Sequence, residues 1–552
     1  MVNFYKLNNK FVYKALLFIY FSIFIYFSYI ASFNSSFDLL TLKDIDDYIY
    51  HISLREIHIN IYNFEFYKLL NCNNWAYGWF FWISYGILTF PFFLIFNFSG
   101  LEEPLIIFSR IINISFAMGG AFYFYKICNI FKINQLNNLL INLLPLTYSG
   151  LIFLGFSRFG TTSMEMFFST LVLYNIFKET NFNKTFLLKI SFLLSLTIGI
   201  KLSNLIILAP IIYFLIFWKF FKFKINLISF KNFAILTIYL IAFSTILYNP
   251  NIFFNHEIFI FELKKFIELS KRNYLNYSFI ECIDLLTNLF YLNFSATFFL
   301  FIFSKNLINK KIAEYQILSI VLIGNLFIST YLIINHPQSC FVYIFSIFYF
   351  QLIPIIFVAK HTKYSTIYIL IILITNLTYP NKAIFDRNEL IEAPLYKIYY
   401  FYKEIYKNNL SSNKNEICSI IKEKIKNNPQ KTIMLGVNYY APSCYSPLSL
   451  DNTVIVNYIG YNYDEFFFKN TNDLQFSKSY EYILSKVLPN LFEKNFPSQV
   501  PKNKVYFDYL ILDIKTKKNI FEQIKKQNII NQKKYIIIKE TNDYAILESH
   551  EL

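Results

Sequence analysis

The sequence is poor in glycine, proline and charge. Its 552 residues include 12 Gly and 15 Pro, and charged residues make up 16% of the chain. With so few glycines and prolines, each remaining one is a candidate for a position that requires it. Hydrophobic residues reach 55% and the mean hydropathy is +0.39. This balance excludes an ordinary soluble composition and predicts a polytopic membrane protein.

Several functional motifs are also missing. Neither GxxxxGK[ST] nor GxGxxG occurs, which argues against a nucleotide-dependent enzyme of those classes. The six cysteines lack metal-ligand spacing. Cys418 and Cys444 either pair in an extracytoplasmic domain or remain free thiols. We find neither a solenoid repeat nor the inverted repeat with broken helices that is typical of many transporters.

The net charge of +16 does not indicate a nucleic-acid partner, because most of the lysines fall in short loops between apolar segments. Lys6, Lys10 and Lys14 precede an apolar run at 15–31, which predicts an uncleaved first helix, with a cleaved signal peptide as the alternative. The positive-inside rule then puts the N-terminus in the cytoplasm and residues from Ser32 onward outside.

The apolar segment 75–98 is long enough to cross a bilayer, but counting it as a span would place the later basic loops outside. We therefore expect it to be juxtamembrane or re-entrant. The remaining predicted spans lie at 104–127, 138–156, 164–178, 186–201, 203–218, 232–249, 287–304, 312–334, 339–359 and 364–380. Together with the first helix they predict a transmembrane domain at 1–380 with about 11 helices.

From residue 381 the composition turns polar. Short apolar runs alternate there with stretches rich in Lys, Glu and Asn, which predicts a small α/β domain at 381–552. The runs lie at 432–437, 453–458, 505–512, 535–538 and 544–547. On the predicted topology this domain is extracytoplasmic, and we expect it to bind the acceptor.

The first outer loop contains an acidic and aromatic cluster at 44–51. The acids could simply cap a helix, and this is our interpretation of Asp44. The predicted topology, however, brings further ionisable groups to the same outer face, where carboxylates could take a proton from a hydroxyl and cations could hold a phosphate. The cluster supplies Asp46, Asp47 and His51, and the residues that join it are Arg110, Arg158, Glu165 and Lys201. We expect His51 to be a surface or packing residue.

Five motifs follow one another in the sequence: Asp46-Asp47-Tyr48, Ala76-Tyr77-Gly78, Ser157-Arg158 through Glu165, Gly199-Ile200-Lys201 through Pro210, and Asn249-Pro250-Asn251. This ordered set resembles the GT-C glycosyltransferases that use polyprenyl-phosphate sugars, in particular the protein O-mannosyltransferase and aminoarabinose-transferase group. The resemblance covers about residues 1–380 by motif order and topology. The Arg-Tyr of the family near a late span is not reproduced, since His336-Pro337-Gln338 stands there.

The resemblance implies catalytic roles for Asp46 as the general base or the carboxylate that orients the acceptor, Asp47 as its partner and Glu165 as a second acid. It implies substrate-binding roles for Lys201, Arg158, Tyr77 and Tyr48, with Lys201 and Arg158 at the donor phosphate. No cofactor is required by this chemistry, although Asp46, Asp47 and Glu165 would suit Mg²⁺ or Mn²⁺.

The composition predicts a multi-pass protein of the cell inner (plasma) membrane, and the resemblance implies that it is a glycosyltransferase. It would move a hexosyl or pentosyl group from a polyprenyl-phosphate sugar to a lipid, glycan or protein hydroxyl. Membrane lipids are expected partners, and nucleic acid is not. The alternatives are a transporter or a flippase for lipid-linked glycans, and a non-catalytic membrane protein whose C-terminal domain binds a partner.

Overall fold

The computed structural model describes a defined part of the chain, in two compact units that we treat separately. Unit 1 comprises residues 1–27, 57–90 and 108–400, and unit 2 comprises residues 28–56, 91–107 and 401–552. The described residues are 11, 14–16, 18–20, 22, 53–54, 57–71, 77–96, 103–147, 160–221, 227–257, 259–260, 264, 279–303, 312–335, 347–378, 432–436, 454–457, 473–475, 499–501, 509–513, 522, 525, 529–530, 533–540 and 544–551.

Helices dominate the described residues up to 378. They are α1 (Trp79–Phe96), α2 (Glu103–Ile130), α3 (Gln135–Leu143), α4 (Thr162–Lys178), α5 (Lys184–Ile200), α6 (Asn204–Phe221), α7 (Leu227–Tyr248), α8 (Asn251–Phe254), α9 (Phe279–Phe303), α10 (Ile312–Asn335), α11 (Phe348–Gln351), α12 (Ile353–His361) and α13 (Ser365–Thr378). Short 3₁₀ helices lie at Phe66–Asn71 and Leu144–Thr147.

Most of the predicted spans coincide with helices, but two do not form the continuous helices that we expected. In the predicted span 138–156, α3 ends at Leu143 and a 3₁₀ turn containing Pro145 follows, because proline cannot donate the next helical hydrogen bond. In the span 339–359, Leu352 separates α11 from α12, and Pro354 occupies the first turn of α12. Segment 75–98 contains α1, with Pro91 inside it.

Three of the described helices are long and apolar enough to cross a membrane, which supports the membrane-protein prediction in its coarse form. They lie at Phe108–Ile130, Asn204–Phe221 and Phe230–Tyr248. Shorter apolar helices lie at Trp79–Ile95, Phe290–Phe303, Gln316–Ile328, Phe348–His361 and Ser365–Thr378. Length and composition of the described helices therefore do not establish the predicted count of about 11 crossings.

Helices α5 and α7 run in the same direction and pack closely along a row of small residues. Ser191 and Ser195 of α5 donate hydrogen bonds of 3.2 Å to the carbonyl oxygens of Leu236 and Leu240 of α7. A Cβ at Gly199, one turn further along, would lie 2.8 Å from the Leu247 Cβ. Small residues at this spacing let the two backbones approach.

Helices α2 and α4 also run in the same direction, as their ring contacts show. Phe116 packs on Phe167 at 5.6 Å between ring centroids, and Tyr123 packs on Tyr174 at 5.3 Å, so both pairs are seven residues apart on each helix. This common register puts the N-terminal ends of the two described helices on one side of unit 1.

Lysines gather at the opposite ends of α2 and α4. Lys126 and Lys178 lie 5.6 and 5.7 Å from the ring centroid of Tyr174. Lys219, at the end of α6, donates to the carbonyl oxygen of Phe177 at 3.0 Å. Lys360, at the end of α12, lies 6.0 Å from the Phe131 ring. Four lysines at or near the ends of α2, α4, α6 and α12 thus meet at one end of unit 1, which we call the lysine end.

The described strands of unit 2 form a six-stranded and a two-stranded sheet. The strands are β1 (Thr432–Gly436), β2 (Val454–Asn457), β3 (Asp473–Gln475), β4 (Gln499–Pro501), β5 (Tyr509–Asp513), β6 (Ile529–Ile530), β7 (Lys533–Glu540) and β8 (Tyr544–Glu551). The larger sheet has the order β2-β1-β5-β8-β7-β6, with parallel pairing of β1 to β2 and β5 and antiparallel pairing elsewhere. All five predicted apolar runs overlap strands of this sheet.

Candidate functional site

Four separate parts of the sequence meet at the ends of α4, α5, α6 and α7 that lie away from the lysine end. We call this group the loop junction, and it consists of Tyr77, Gly78, Glu165, residues 199–204 and residues 248–251. Helices α5 and α7 enter it with their C-terminal ends, and α4 and α6 leave it with their N-terminal ends.

Two of the scarce glycines bring the first of these parts against the others. The Gly78 N–H donates to the Ile200 carbonyl oxygen at 2.9 Å. A Cβ at Gly78 would overlap the Gly199 carbonyl oxygen and would lie 2.9 Å from the Tyr248 ring. Since both backbones touch there, a larger residue would push the Tyr77-Gly78 segment away from the end of α5.

Glu165 lies in the first turn of α4 with 1% of its surface exposed. Its Oε2 accepts a hydrogen bond of 3.2 Å from Asn204 Nδ2. No donor within hydrogen-bonding distance faces its other oxygen, Oε1, in the part of the chain that the structure describes. The positive end of the α4 dipole favours a negative charge at this position. The carboxylate is therefore held at one oxygen and open at the other.

Lys201 lies in the turn between α5 and α6, Asn204 is the first residue of α6, and both are buried. The Lys201 N–H and Asn204 Nδ2 donate to the same acceptor, the Thr197 carbonyl oxygen, at 3.2 and 2.9 Å. The Asn204 N–H in turn donates to the Lys201 carbonyl oxygen at 3.1 Å. These bonds satisfy groups at the end of α5 and fix the turn that carries the lysine.

The fourth part of the loop junction is the Asn249-Pro250-Asn251 turn after α7. The Asn251 N–H donates to Asn249 Oδ1 at 3.0 Å, an Asx turn, and Asn251 Nδ2 donates to the Leu70 carbonyl oxygen at 2.9 Å. Trp79 Nε1 donates to the neighbouring Leu69 carbonyl oxygen at 2.8 Å. The 3₁₀ helix before Gly78 is thus tied to the loop junction from two directions.

A second buried polar group lies on α2. Arg110 is 1% exposed, and Asn113, one turn further along the same face, accepts a hydrogen bond from the Tyr85 hydroxyl of α1. By the common register of α2 and α4, Arg110 lies at the same end of unit 1 as the start of α4. This agrees with its predicted position near one end of the helix.

Three of the seven predicted site residues can be placed. Glu165, Lys201 and Tyr77 all come to the loop junction, although they are far apart in the sequence. Tyr77 is half-buried, and its ring lies 6.0 Å from that of Phe81. The other four predicted site residues, Asp46, Asp47, Tyr48 and Arg158, lie outside the described residues.

Asn204 is the site residue that the sequence did not single out. It lies three residues after Lys201, and no role was predicted for it. A polar residue at the start of a helix as apolar as α6 was the available signal. Only the structure reveals that its side chain reaches Glu165.

The described residues contain no group of three or more His, Cys, Asp or Glu side chains that could hold a metal ion. Glu165 is the described member of the Asp46, Asp47 and Glu165 set, and its open Oε1 is the kind of oxygen that Mg²⁺ and Mn²⁺ accept. The complete set stays a prediction.

Neither comparison by sequence identifies the chain. No protein-family model matches it, and no curated protein matches it.

Proposed function

We propose that the protein is an integral membrane glycosyltransferase that moves a sugar from a polyprenyl phosphate to an acceptor hydroxyl at the extracytoplasmic face. The observation that carries the proposal is the loop junction. Tyr77-Gly78 packs on the Gly199-Ile200-Lys201 element and on Tyr248, which directly precedes Asn249-Pro250-Asn251. Glu165 joins the same junction through its hydrogen bond with Asn204. This proximity of elements that are distant in the sequence supports the proposal.

The ends of the bundle support the proposed sidedness. The lysine end carries four lysines at or near helix ends, and lysines that flank membrane spans favour the cytoplasm. The loop junction is at the other ends of α4, α5 and α6, so it would face outward. A polyprenyl-phosphate sugar presents its head group at that surface.

The proposed reaction needs little beyond positioning and charge. The acceptor oxygen attacks the anomeric carbon, the bond from that carbon to the phosphate oxygen breaks, and the lipid phosphate leaves with the electron pair. Asp46, paired with Asp47, would take the hydroxyl proton. Lys201, with Arg158, would stabilise the charge that develops on the phosphate.

The test is transfer of radiolabelled sugar from polyprenyl-phosphate sugars in membranes that contain the protein. We expect Asp46→Asn and Lys201→Gln each to lower the rate by about 10²–10³-fold at unchanged protein level, because each removes a group that acts on the reacting atoms.

Lys184→Gln is the matched control, since Lys184 is an exposed lysine at the other end of the same helix, α5. Its rate should equal that of the unaltered protein. If no donor sugar is transferred and the lipid-linked donor instead crosses the bilayer of reconstituted vesicles, the protein is a flippase and the proposal is wrong.

A further inference from the structure

Three buried oxygen atoms at the loop junction have no hydrogen-bond partner within the described part of the protein. They are Glu165 Oε1, Ser203 Oγ and Asn204 Oδ1. Two of them, the carboxylate and amide oxygens, can only accept hydrogen bonds. Buried polar atoms are nearly always paired in folded proteins, so a group of three without partners indicates a missing ligand or ordered water.

The orientation of the Asn204 amide is fixed by its neighbours. Its nitrogen lies 3.2 Å from Glu165 Oε2 and 2.9 Å from the Thr197 carbonyl oxygen. Both neighbours are acceptors, so the NH₂ group must face them and the oxygen must face away. Reversing the amide would place oxygen against oxygen at both contacts.

A purely structural role explains only part of this arrangement. By bonding the Thr197 carbonyl, Asn204 satisfies the end of α5 and joins it to the start of α6. That role uses the amide nitrogen and leaves Asn204 Oδ1 and Glu165 Oε1 without a task. In each side chain the unpaired oxygen and the atom of the 3.2 Å hydrogen bond are attached to the same carbon, so both unpaired oxygens belong to the two groups that meet at this contact.

We propose that Glu165 Oε1, Asn204 Oδ1 and Ser203 Oγ form a subsite that accepts hydrogen bonds from the hydroxyl groups of the donor sugar, and that Asn204 is the positioning residue of Glu165. This inference rests on the proposed function for the identity of the ligand as a sugar. The chemistry that it requires is a neutral group with several O–H donors.

The neighbouring lysine makes this assignment more specific. A phosphate group brings mainly acceptor oxygens and negative charge, so it would be repelled by Glu165 and would leave the buried acceptors unpaired. Lys201, in the same turn, is the group suited to a phosphate. The loop junction therefore separates the two halves of a sugar phosphate, with hydroxyl groups at Glu165 and Asn204 and the anion at Lys201.

The test measures binding of the sugar and binding of the phosphate separately, on the purified full-length protein in lipid nanodiscs. Proton saturation-transfer NMR reports binding of a panel of methyl glycosides, and the phosphorus line width reports binding of inorganic phosphate. We expect Glu165→Gln to weaken glycoside binding by about 10-fold or more and to leave phosphate binding unchanged, because the variant turns an acceptor into a donor. Lys201→Gln should weaken phosphate binding and leave glycoside binding unchanged.

Further variants separate positioning from folding. Asn204→Asp keeps the acceptor oxygen but loses both N–H donors to Glu165 and Thr197, so a positioning role predicts a loss of glycoside binding as large as that of Glu165→Gln. Ser203→Ala, a small change, should weaken it less. Glu179→Gln is the matched control, since Glu179 is a half-buried glutamate directly after the other end of α4, and it should change the binding of neither ligand.

Two results would overturn the subsite: no methyl glycoside binds the unaltered protein, or the Glu165 and Asn204 variants weaken glycoside and phosphate binding equally. The outcome is distinct from that of the proposed function. If the protein transfers no sugar but the Glu165 and Lys201 variants affect glycoside and phosphate binding separately, the subsite stands and the transferase activity is refuted. If the protein transfers sugar but its variants do not affect glycoside and phosphate binding separately, the proposed function stands and the subsite is refuted.

Discussion

Gly78 and Gly199 show how a single missing side chain positions the loop junction. The chain has 12 glycines, and these two face one another where the Tyr77-Gly78 segment meets the end of α5. Their contact includes the hydrogen bond from the Gly78 N–H to the Ile200 carbonyl oxygen. The packing, rather than an unusual backbone angle, is what requires a glycine here.

Gly78→Ala should therefore lower the free energy of unfolding by about 1–3 kcal/mol, because its Cβ would occupy the position of the Gly199 carbonyl oxygen. Thermal unfolding of the purified protein measures this, and sugar transfer should fall with it. Gly324→Ala is the control: its Cβ would lie 3.3 Å from Cγ1 of Ile211, a side-chain atom that can move. Equal unfolding midpoints for the two variants would contradict the close approach.

At the same scale, the sequence identified Glu165 and Lys201 as site residues but gave no role to Asn204. The reason is physical. A charged residue in an apolar sequence is itself a signal of function. The role of an asparagine depends on which groups its amide contacts, and the sequence does not show these. Its partner is 39 residues away in the sequence, and only the packing of α4 against α6 brings the two side chains together.

The row of small residues on α5 acts at the scale of whole helices. Ser191 and Ser195 bond carbonyl oxygens of α7, and Gly199 continues the row to the loop junction. The two helices therefore pack as a pair, and the turns at their ends, with Lys201 on one and Asn249 on the other, are carried to the same place.

Ser195→Leu should separate α5 from α7 and lower the unfolding free energy by about 1–3 kcal/mol, since a large side chain would replace a hydroxyl in contact with a backbone. Loss of transfer activity should accompany the loss of stability, because the end of α5 carries the loop junction. Thermal unfolding and the transfer assay are the measurements.

Ser115→Leu provides the comparison for that variant. Ser115 is exposed on α2 and bonds the Ile111 carbonyl of its own helix at 2.9 Å. Leucine there should leave both stability and transfer within experimental error. If Ser195→Leu were equally harmless, close packing of α5 on α7 would not be needed.

For the whole molecule, the arrangement of charge predicts how the protein lies in a membrane. The lysine end contains Lys126, Lys178, Lys219 and Lys360. The loop junction lies at the opposite ends of α4 and α6. A bilayer that surrounds this bundle would place the two ends in different compartments.

Single cysteines at Asn181 and Asn255, in a background whose native cysteines are replaced by serine, test this orientation. Both positions are exposed, Asn181 after the Lys178 end of α4 and Asn255 after α8 beside the loop junction. A membrane-impermeant maleimide should label Asn255→Cys in intact cells and Asn181→Cys only after permeabilisation. Labelling of both from one side would refute the proposed orientation.

The sequence by itself determined the elements: apolar runs placed most of the helices, and alternating short runs placed the strands of the larger sheet. It did so because burial of apolar surface and backbone hydrogen bonding act over a few neighbouring residues. Whether a predicted span forms one continuous helix was less predictable. The breaks after Leu143 and at Leu352 depend on prolines in runs that hydropathy alone extends through them.

Only the tertiary structure decided which ends of the helices meet. The register of α5 on α7, the contact of Gly78 with Gly199 and the bond of Asn204 to Glu165 each depend on side chains from distant parts of the sequence fitting together. Such contacts follow from shape complementarity, which no local pattern encodes. The sequence therefore supplied the candidate residues, and the packing of the helices made a site of those that the structure describes.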